Sequence, residues 1–359
     1  MDIHEFLAIS VQKRASDLHI IPNSQAILRI DGSLSLIKDK PAFSAEETEN
    51  LIYSVMTSTQ KDIFEKNLIL EMALAIPNVG NFRVSVFHQL HGIGAVFRII
   101  PEKVPSFEEL ALPPVIKTLL SLTQGLVLVT GPTGSGKTTT LAAMIDYINT
   151  YTSCNIVTIE DPIEFVHTNK RSIFSQLQIG RDTHDFASAL RASLRQDPNV
   201  IMLGELRDLE TMRLALTAAE TGHLVIATLH ASSAAIAVGR FVDVFPTEEK
   251  NRVRTLLSET LQAAICQTLV KKMSGGGRVA AFEILLATPA IRNFIRTDMP
   301  THIETALQTN GDKGMCTMEQ YLQELVSKHV INPMVASNVI ANRGAFKEIN
   351  DRPSPGQKK

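Results

Sequence analysis

GPTGSGKT, residues 131–138, lies between the apolar run LVLVT and the helix-like run TTTLAAMIDYI. Gly131, Gly134 and Gly136 let the backbone take positive φ and come close to a bulky anion. Successive N–H groups then converge on phosphate oxygens. The helix that opens near Lys137 aims its unpaired N–H groups and positive dipole end at the same point. Lys137 is placed to meet the β- and γ-phosphates as a point charge, and the Thr138 hydroxyl to ligate Mg²⁺. Pro132, Thr133, Ser135 and Thr139 complete the expected phosphate-binding set. The expected ligands are therefore ATP and Mg²⁺.

Outward from this loop, from about residue 114, apolar strand patterns alternate with helical ones. The strands are GLVLVT (125–130), NIVTIE (155–160), VIMLGE (200–205) and HLVIATLH (223–230). THDFASALRASLRQ places Phe186, Ala189, Leu190 and Leu194 on one helical face, and DLETMRLALTAAET runs from an Asp208 cap to Gly222. Apolar strands separated by helices predict a mostly parallel α/β sheet covered on both faces. Ligands collect at the carboxyl ends of such strands. Beyond 250 the chain reads as mainly helical, with Cys266 in an apolar helix, VAAFEILL (279–286) as an edge strand and 350–359 as a disordered tail.

Residues 1–100 read differently. AILRIDGSL forms two short strands about Asp31-Gly32, Ser44 and Glu47 make a capping box, and NFRVSVFHQL and IGAVFRII alternate as strands. This predicts a smaller α+β domain, joined through a proline-rich linker at 101–113 to the domain at 114–349.

Thirty-five basic and 37 acidic residues leave a net charge of −2, which gives no general pull toward nucleic acid or anionic membrane. Lys271 and Lys272 read as solvated surface, and no nucleic-acid partner is expected. Cys154, Cys266 and Cys316 are too scattered for a disulfide framework or zinc site. With no signal-like N-terminus and no run of eighteen apolar residues, the expected location is cytoplasmic.

The strand ends carry the chemistry. NIVTIE runs into DPIE, clustering Glu160, Asp161 and Glu164. VIMLGE ends at Glu205, ahead of Arg207 and Asp208, and HLVIATLH ends at His230. ATP hydrolysis needs a held metal and a positioned water. Glu164 suits the water and Glu205 the metal. Taken singly, Glu164 and Glu205 also fit surface acids, Asp208 a helix cap, and His230 a structural histidine.

GPTGSGKT, IEDPIEF (159–165), LGELRD (203–208) and ETGHLVIATLH (220–230), in this order, resemble the secretion ATPase superfamily, and within it the type IV pilus retraction ATPases. RASDLHI (14–20) and AIRNFIR (290–296) extend the resemblance, and no CxxC pair of the assembly ATPases is found. The resemblance implies a RecA-like P-loop domain behind a PAS-like N-terminal domain. It implies Glu164 as catalytic base, Glu205 near Mg²⁺ and His230, with His223 less surely, in a histidine box. Arg83 and Arg98 are implied to approach the phosphates. The implied assembly is a homo-hexamer at an inner-membrane pilus platform protein, peripheral to that membrane, with a PilU-like paralogue as a further partner. QLQIG (176–180) departs from the usual QREVG at Leu177 and Gln178, and whatever contact those positions make is open. Alternative readings are an accessory PilU-like retraction ATPase, a related type IV secretion ATPase, or a nucleotide-binding scaffold without turnover.

Overall fold

The computed structural model describes residues 2–30, 32–38, 40–100 and 103–350. The chain divides into two compact units, Met1–Lys103 and Val104–Lys359. Asp31, Pro101 and Glu102, and residues 351–359 of the expected tail, lie outside the described residues.

The first unit runs α1 (Ile3–Gln12), β1 (Asp17–Ile20), β2 (Ile27–Ile30), β3 (Ser33–Leu36), α2 (Ala45–Tyr53), α3 (Ser58–Asn67), β4 (Ile69–Ile76), β5 (Gly80–Gln89) and β6 (Gly92–Ile100). Its six-stranded sheet has the order β3-β2-β1-β6-β5-β4, with every pair antiparallel. Along β5, buried Phe82, Val84 and Val86 alternate with partly exposed residues, so one face is core and the other polar. Phe6, Ile52 and Phe64 close the core from the helices. Ser44 and Glu47 form the reciprocal capping box that starts α2.

The second unit opens with α4 (Pro114–Leu119), β7 (Gly125–Thr130), α5 (Lys137–Tyr151), β8 (Asn155–Glu160), β9 (Ile173–Gln178), α6 (Phe186–Ser193), β10 (Val200–Leu203), α7 (Leu209–Glu220) and β11 (Leu224–Leu229). It continues with α8 (Ala234–Asp243), α9 (Lys250–Thr260), β12 (Leu261–Lys271), β13 (Arg278–Leu286), α10 (Pro289–Arg296), α11 (Pro300–Thr309), α12 (Met318–Ser327) and α13 (Pro333–Asn350). The sheet order is β13-β12-β7-β11-β10-β8-β9. All neighbours are parallel except β12 and β13. The four central strands are buried along their length, as a sheet with helices on both faces requires. α6 to α11 cover one face around Leu190, Leu216 and Phe241. α4, α5 and α12 cover the other around Ile116, Met144 and Phe282. Asp185 and Asp208 cap α6 and α7 by accepting from Ser188 N and Thr211 N, each cap stabilising its helix by about 1 kcal/mol.

The expectation of a mainly helical region after 250 is corrected at 261–271. That segment, with Cys266, is strand β12, seated beside β7 in the middle of the core. The apolar stretch AAIC (263–266) between Gln262 and Gln267 is short, and such a stretch is shared by buried strands and buried helices. α9 passes into β12 between Thr260 and Leu261 with no Gly or Pro to mark the change. The strand expected at 279–286 is present as β13.

Candidate active site

Parallel register carries the ends of the central strands to one edge. Thr130 of β7 pairs with Leu229 of β11, and Leu203 of β10 pairs with both Ala227 and Ile159. The residues that follow, Gly131, His230, Glu205 and Asp161–Glu164, therefore lie along that edge. The order of strands separates their tasks. His230 follows the strand beside β7, Glu205 the next, and Glu164 the one beyond.

The loop 131–136 curls from β7 into α5 through positive φ at Gly131, Gly134 and Gly136. At Gly131 a Cβ would stand 2.3 Å from the Gln267 carbonyl oxygen, so only glycine fits. Lys137 Nζ donates to the carbonyls of Gly131 and Pro132, each at 3.0 Å. Burial pushes the Lys137 ammonium below its ordinary range, while the Glu205 and Glu164 carboxylates pull it back up. This cation is thus placed at the mouth of the loop, held by neutral oxygens that a phosphate can replace. Pro132, Thr133 and Gly134 are exposed, and Thr138 and Thr139 are half-buried on the first turn of α5. The buried hydroxyls of Thr130 and Ser135 have no hydrogen-bond partner. The loop fits a nucleotide phosphate on these grounds.

Glu205 is held from both sides. His230 Nε2 lies 2.9 Å from Oε1, and Arg207 Nε donates to Oε2 at 2.6 Å. Arg207 also reaches Asp161 at 3.4 Å. Arg240 donates to the His230 carbonyl at 2.6 Å and fixes that residue's backbone. With both Glu205 oxygens engaged, Mg²⁺ would be met through its water shell, with the Thr138 hydroxyl and the phosphates as the other donors. Among the described residues no group of three or more His, Cys, Asp or Glu forms a protein cage for a metal. That donor set suits Mg²⁺, which dehydrates reluctantly.

The segment that carries Glu164 is strapped to β9. The Gln176 amide donates to Phe165 O at 3.0 Å and to Glu160 Oε1 at 3.2 Å, and accepts from His167 N at 2.8 Å. Gln178 Oε1 accepts from Ile163 N at 3.3 Å. Glu160 is buried, and burial raises its carboxyl while Thr158 and Gln176 hydrogen bonds oppose that. Glu164 itself is half-buried, beside the acid that its segment already encloses.

The chain matches the family described as Type II/IV secretion system protein over residues 1–302. It belongs to that family. A Pseudomonas aeruginosa relative, the type IV pilus retraction ATPase PilT, is 52% identical over 332 residues, covering 92% of this chain and 96% of the relative. The type IV pilus ATPase PilU of the same organism is 38% identical over 328 residues, covering 91% and 86%. The crystal structure of the pilus retraction motor PilT with bound ADP superposes with a TM-score of 0.86 at 43% identity, covering 94% of this chain and 97% of that one.

Within this secretion-system protein, two expected residues belong to the unit that does not carry the phosphate loop. Arg83 and Arg98 belong to the first unit, where they are cross-strand partners. Like charges placed so would repel. Each is held instead by an acid of its own unit, Arg83 by Glu71 at 2.7 Å and Arg98 by Asp17 at 2.9 Å. His223 precedes β11, whereas His230 follows it, so the two histidines occupy opposite ends of the strand. His223 Nδ1 sits 3.0 Å from Ala218 O and closes the end of α7. His223 therefore does not stand beside His230 at the phosphate edge. Arg207 lay within LGELRD and Gln176 within QLQIG, but neither carried a role in the sequence.

Proposed function

We propose that this chain is an ATP-hydrolysing motor that drives retraction of type IV pili. The observation that carries the reading is the Lys137 loop facing a strand edge that also holds Glu205, His230 and Glu164. The identity of 52% to a pilus retraction ATPase over nearly the whole chain supports it, against 38% to the PilU relative.

In this reading the loop from Gly131 to Thr139 cradles the ATP phosphates, and Lys137 turns from its own carbonyls to the β- and γ-oxygens. Mg²⁺, when bound, spreads the negative charge of those oxygens. Glu164 orients the attacking water and takes its proton. His230 and Arg207 hold Glu205 toward the phosphate edge. Arg83 and Arg98 meet the γ-phosphate by exchanging Glu71 and Asp17 for it. Loss of that phosphate returns them to their acids. Six copies in a ring, peripheral to the inner membrane at the pilus platform protein, would turn these changes into a cycle.

The test is phosphate release by purified protein together with titration of bound MgADP. Glu164→Gln should cut the turnover rate by at least about a hundredfold while MgADP binds within a few-fold of wild type. Lys137→Ala should abolish binding and turnover together. Wild-type turnover in Glu164→Gln would remove Glu164 from the role of base.

A further inference from the structure

Gln267 is a buried amide on β12, 2% exposed, and it takes no part in the motifs that define the phosphate site. Its strand pairs with β7 so that Cys266 lies opposite Thr130, which puts Gln267 against the first residue of the loop. Its side chain spans the loop and the helix behind it. Nε2 donates to the Ser135 carbonyl at 2.8 Å, and Oε1 accepts from the Thr140 hydroxyl at 2.7 Å. The loop is shaped around this residue. The Gln267 carbonyl forbids a Cβ at Gly131, and Nε2 would stand 3.0 Å from a Cβ at Gly136.

We infer that Gln267 is a positioning residue for nucleotide binding, a latch that sets the direction of the loop's phosphate-facing N–H groups. The geometry of the peptide unit supplies the reason. In a trans peptide the C=O and the following N–H point to opposite sides. Drawing the Ser135 carbonyl toward β12 therefore turns the Gly136 N–H away from β12, into the loop. The Thr140 hydroxyl fixes the same amide to the second turn of α5, so loop and helix are set together against one strand. An unlatched loop would leave the Ser135 carbonyl and the Thr140 hydroxyl unpaired in a buried place, a loss that single hydrogen-bond deletions make large. Both ends of the amide are used, one as donor and one as acceptor, and this excludes residues that offer only one. The inference rests on the reading of 131–138 as a nucleotide site.

The test is titration of fluorescent MgADP on the full-length chain, with wild type in parallel. Gln267→Met keeps the length and removes both hydrogen bonds. It should weaken MgADP by roughly tenfold or more. Gln267→Glu adds a chemical switch. As a carboxylate it accepts from Thr140 but repels the Ser135 carbonyl, whereas as a carboxylic acid it can donate and accept like the amide. The ratio of its Kd to that of wild type should be large at pH 8 and fall toward one as pH falls to about 5.5, since burial raises a carboxyl. A side chain that merely fills space would give a ratio indifferent to pH. Gln267→Met binding within twofold of wild type, or a pH-independent ratio for Gln267→Glu, overturns the latch. If Gln267→Met does not fold, the Gln267→Glu ratio decides. Wild type that bound no MgADP would overturn the nucleotide site and the latch with it.

Discussion

His167, two residues past the buried Phe165, shows how single side chains near the site set its tolerance to acid. Its ring stacks on Phe174 with centroids 4.8 Å apart, and its Nδ1 has no hydrogen-bond partner. Asp146 lies 3.9 Å away, too far for a hydrogen bond. Burial holds the imidazole at about 4 against an ordinary 6.5, with Asp146 opposing and Lys170 assisting. The contact with Asp146 is therefore not an ion pair at neutral pH. The unfolded chain takes up a proton on this residue as pH falls through about 6.5, and the folded chain only near 4. Stability is thus complete above that window and is lost as pH drops into it. Between pH 7 and 5 the loss from this residue is about 2 kcal/mol. His167→Phe should keep the stacking and remove that part of the acid sensitivity, as read by urea unfolding at the two pH values. An unchanged pH dependence would contradict the assignment. The phosphate loop, Glu164, Glu205 and His230 were all legible as residues, because each lies in a short motif at the end of an apolar strand. Gln267, Gln176 and Arg207 were not. Gln267 and Gln176 hold the backbone of distant segments, a contact with no local trace in sequence, and Arg207 holds the carboxylates of Glu205 and Asp161.

At the scale of elements, side-chain caps at Ser44 and Asp208 made α2 and α7 readable, and the apolar face of Phe186, Ala189, Leu190 and Leu194 made α6 readable. The Asp185 cap that starts α6 is seen only in the structure. β12 was unreadable because its residues are buried on both faces and no breaker separates it from α9. AIRNFIR forms most of α10 with Thr288 as cap, and Ile291 and Ile295 enter the core. Arg292 and Arg296, one turn apart, take different places. Arg292 turns inward and donates to Ser258 O at 2.7 Å, Glu259 O at 2.6 Å and Gln262 Oε1 at 3.1 Å. Burial lowers its guanidinium from the usual range, with Glu259 opposing. It satisfies carbonyls where α9 stops and β12 begins, while Arg296 stays exposed. Arg292→Ala should destabilise the second unit by about 1–3 kcal/mol, and Arg292→Lys should recover only part of that because it lacks the fork. Thermal unfolding followed by circular dichroism reads both. An unshifted midpoint for Arg292→Ala would show that these carbonyls find other partners.

For the molecule as a whole, the unit Met1–Lys103 holds an antiparallel sheet and the unit Val104–Lys359 a mostly parallel one. Arg83 and Arg98 reside in one unit, and Lys137, Glu164 and Glu205 in the other. No helix among the described residues is long and apolar enough to cross a membrane. Hydrolysis at the 131–138 loop is proposed to shorten pili. The most direct measurement is time-resolved imaging of labelled pili in a strain whose only copy of this gene carries Glu164→Gln. The expected filaments extend and never shorten, with shortening restored by the wild-type gene. Filaments that shorten at the wild-type speed would contradict the proposal.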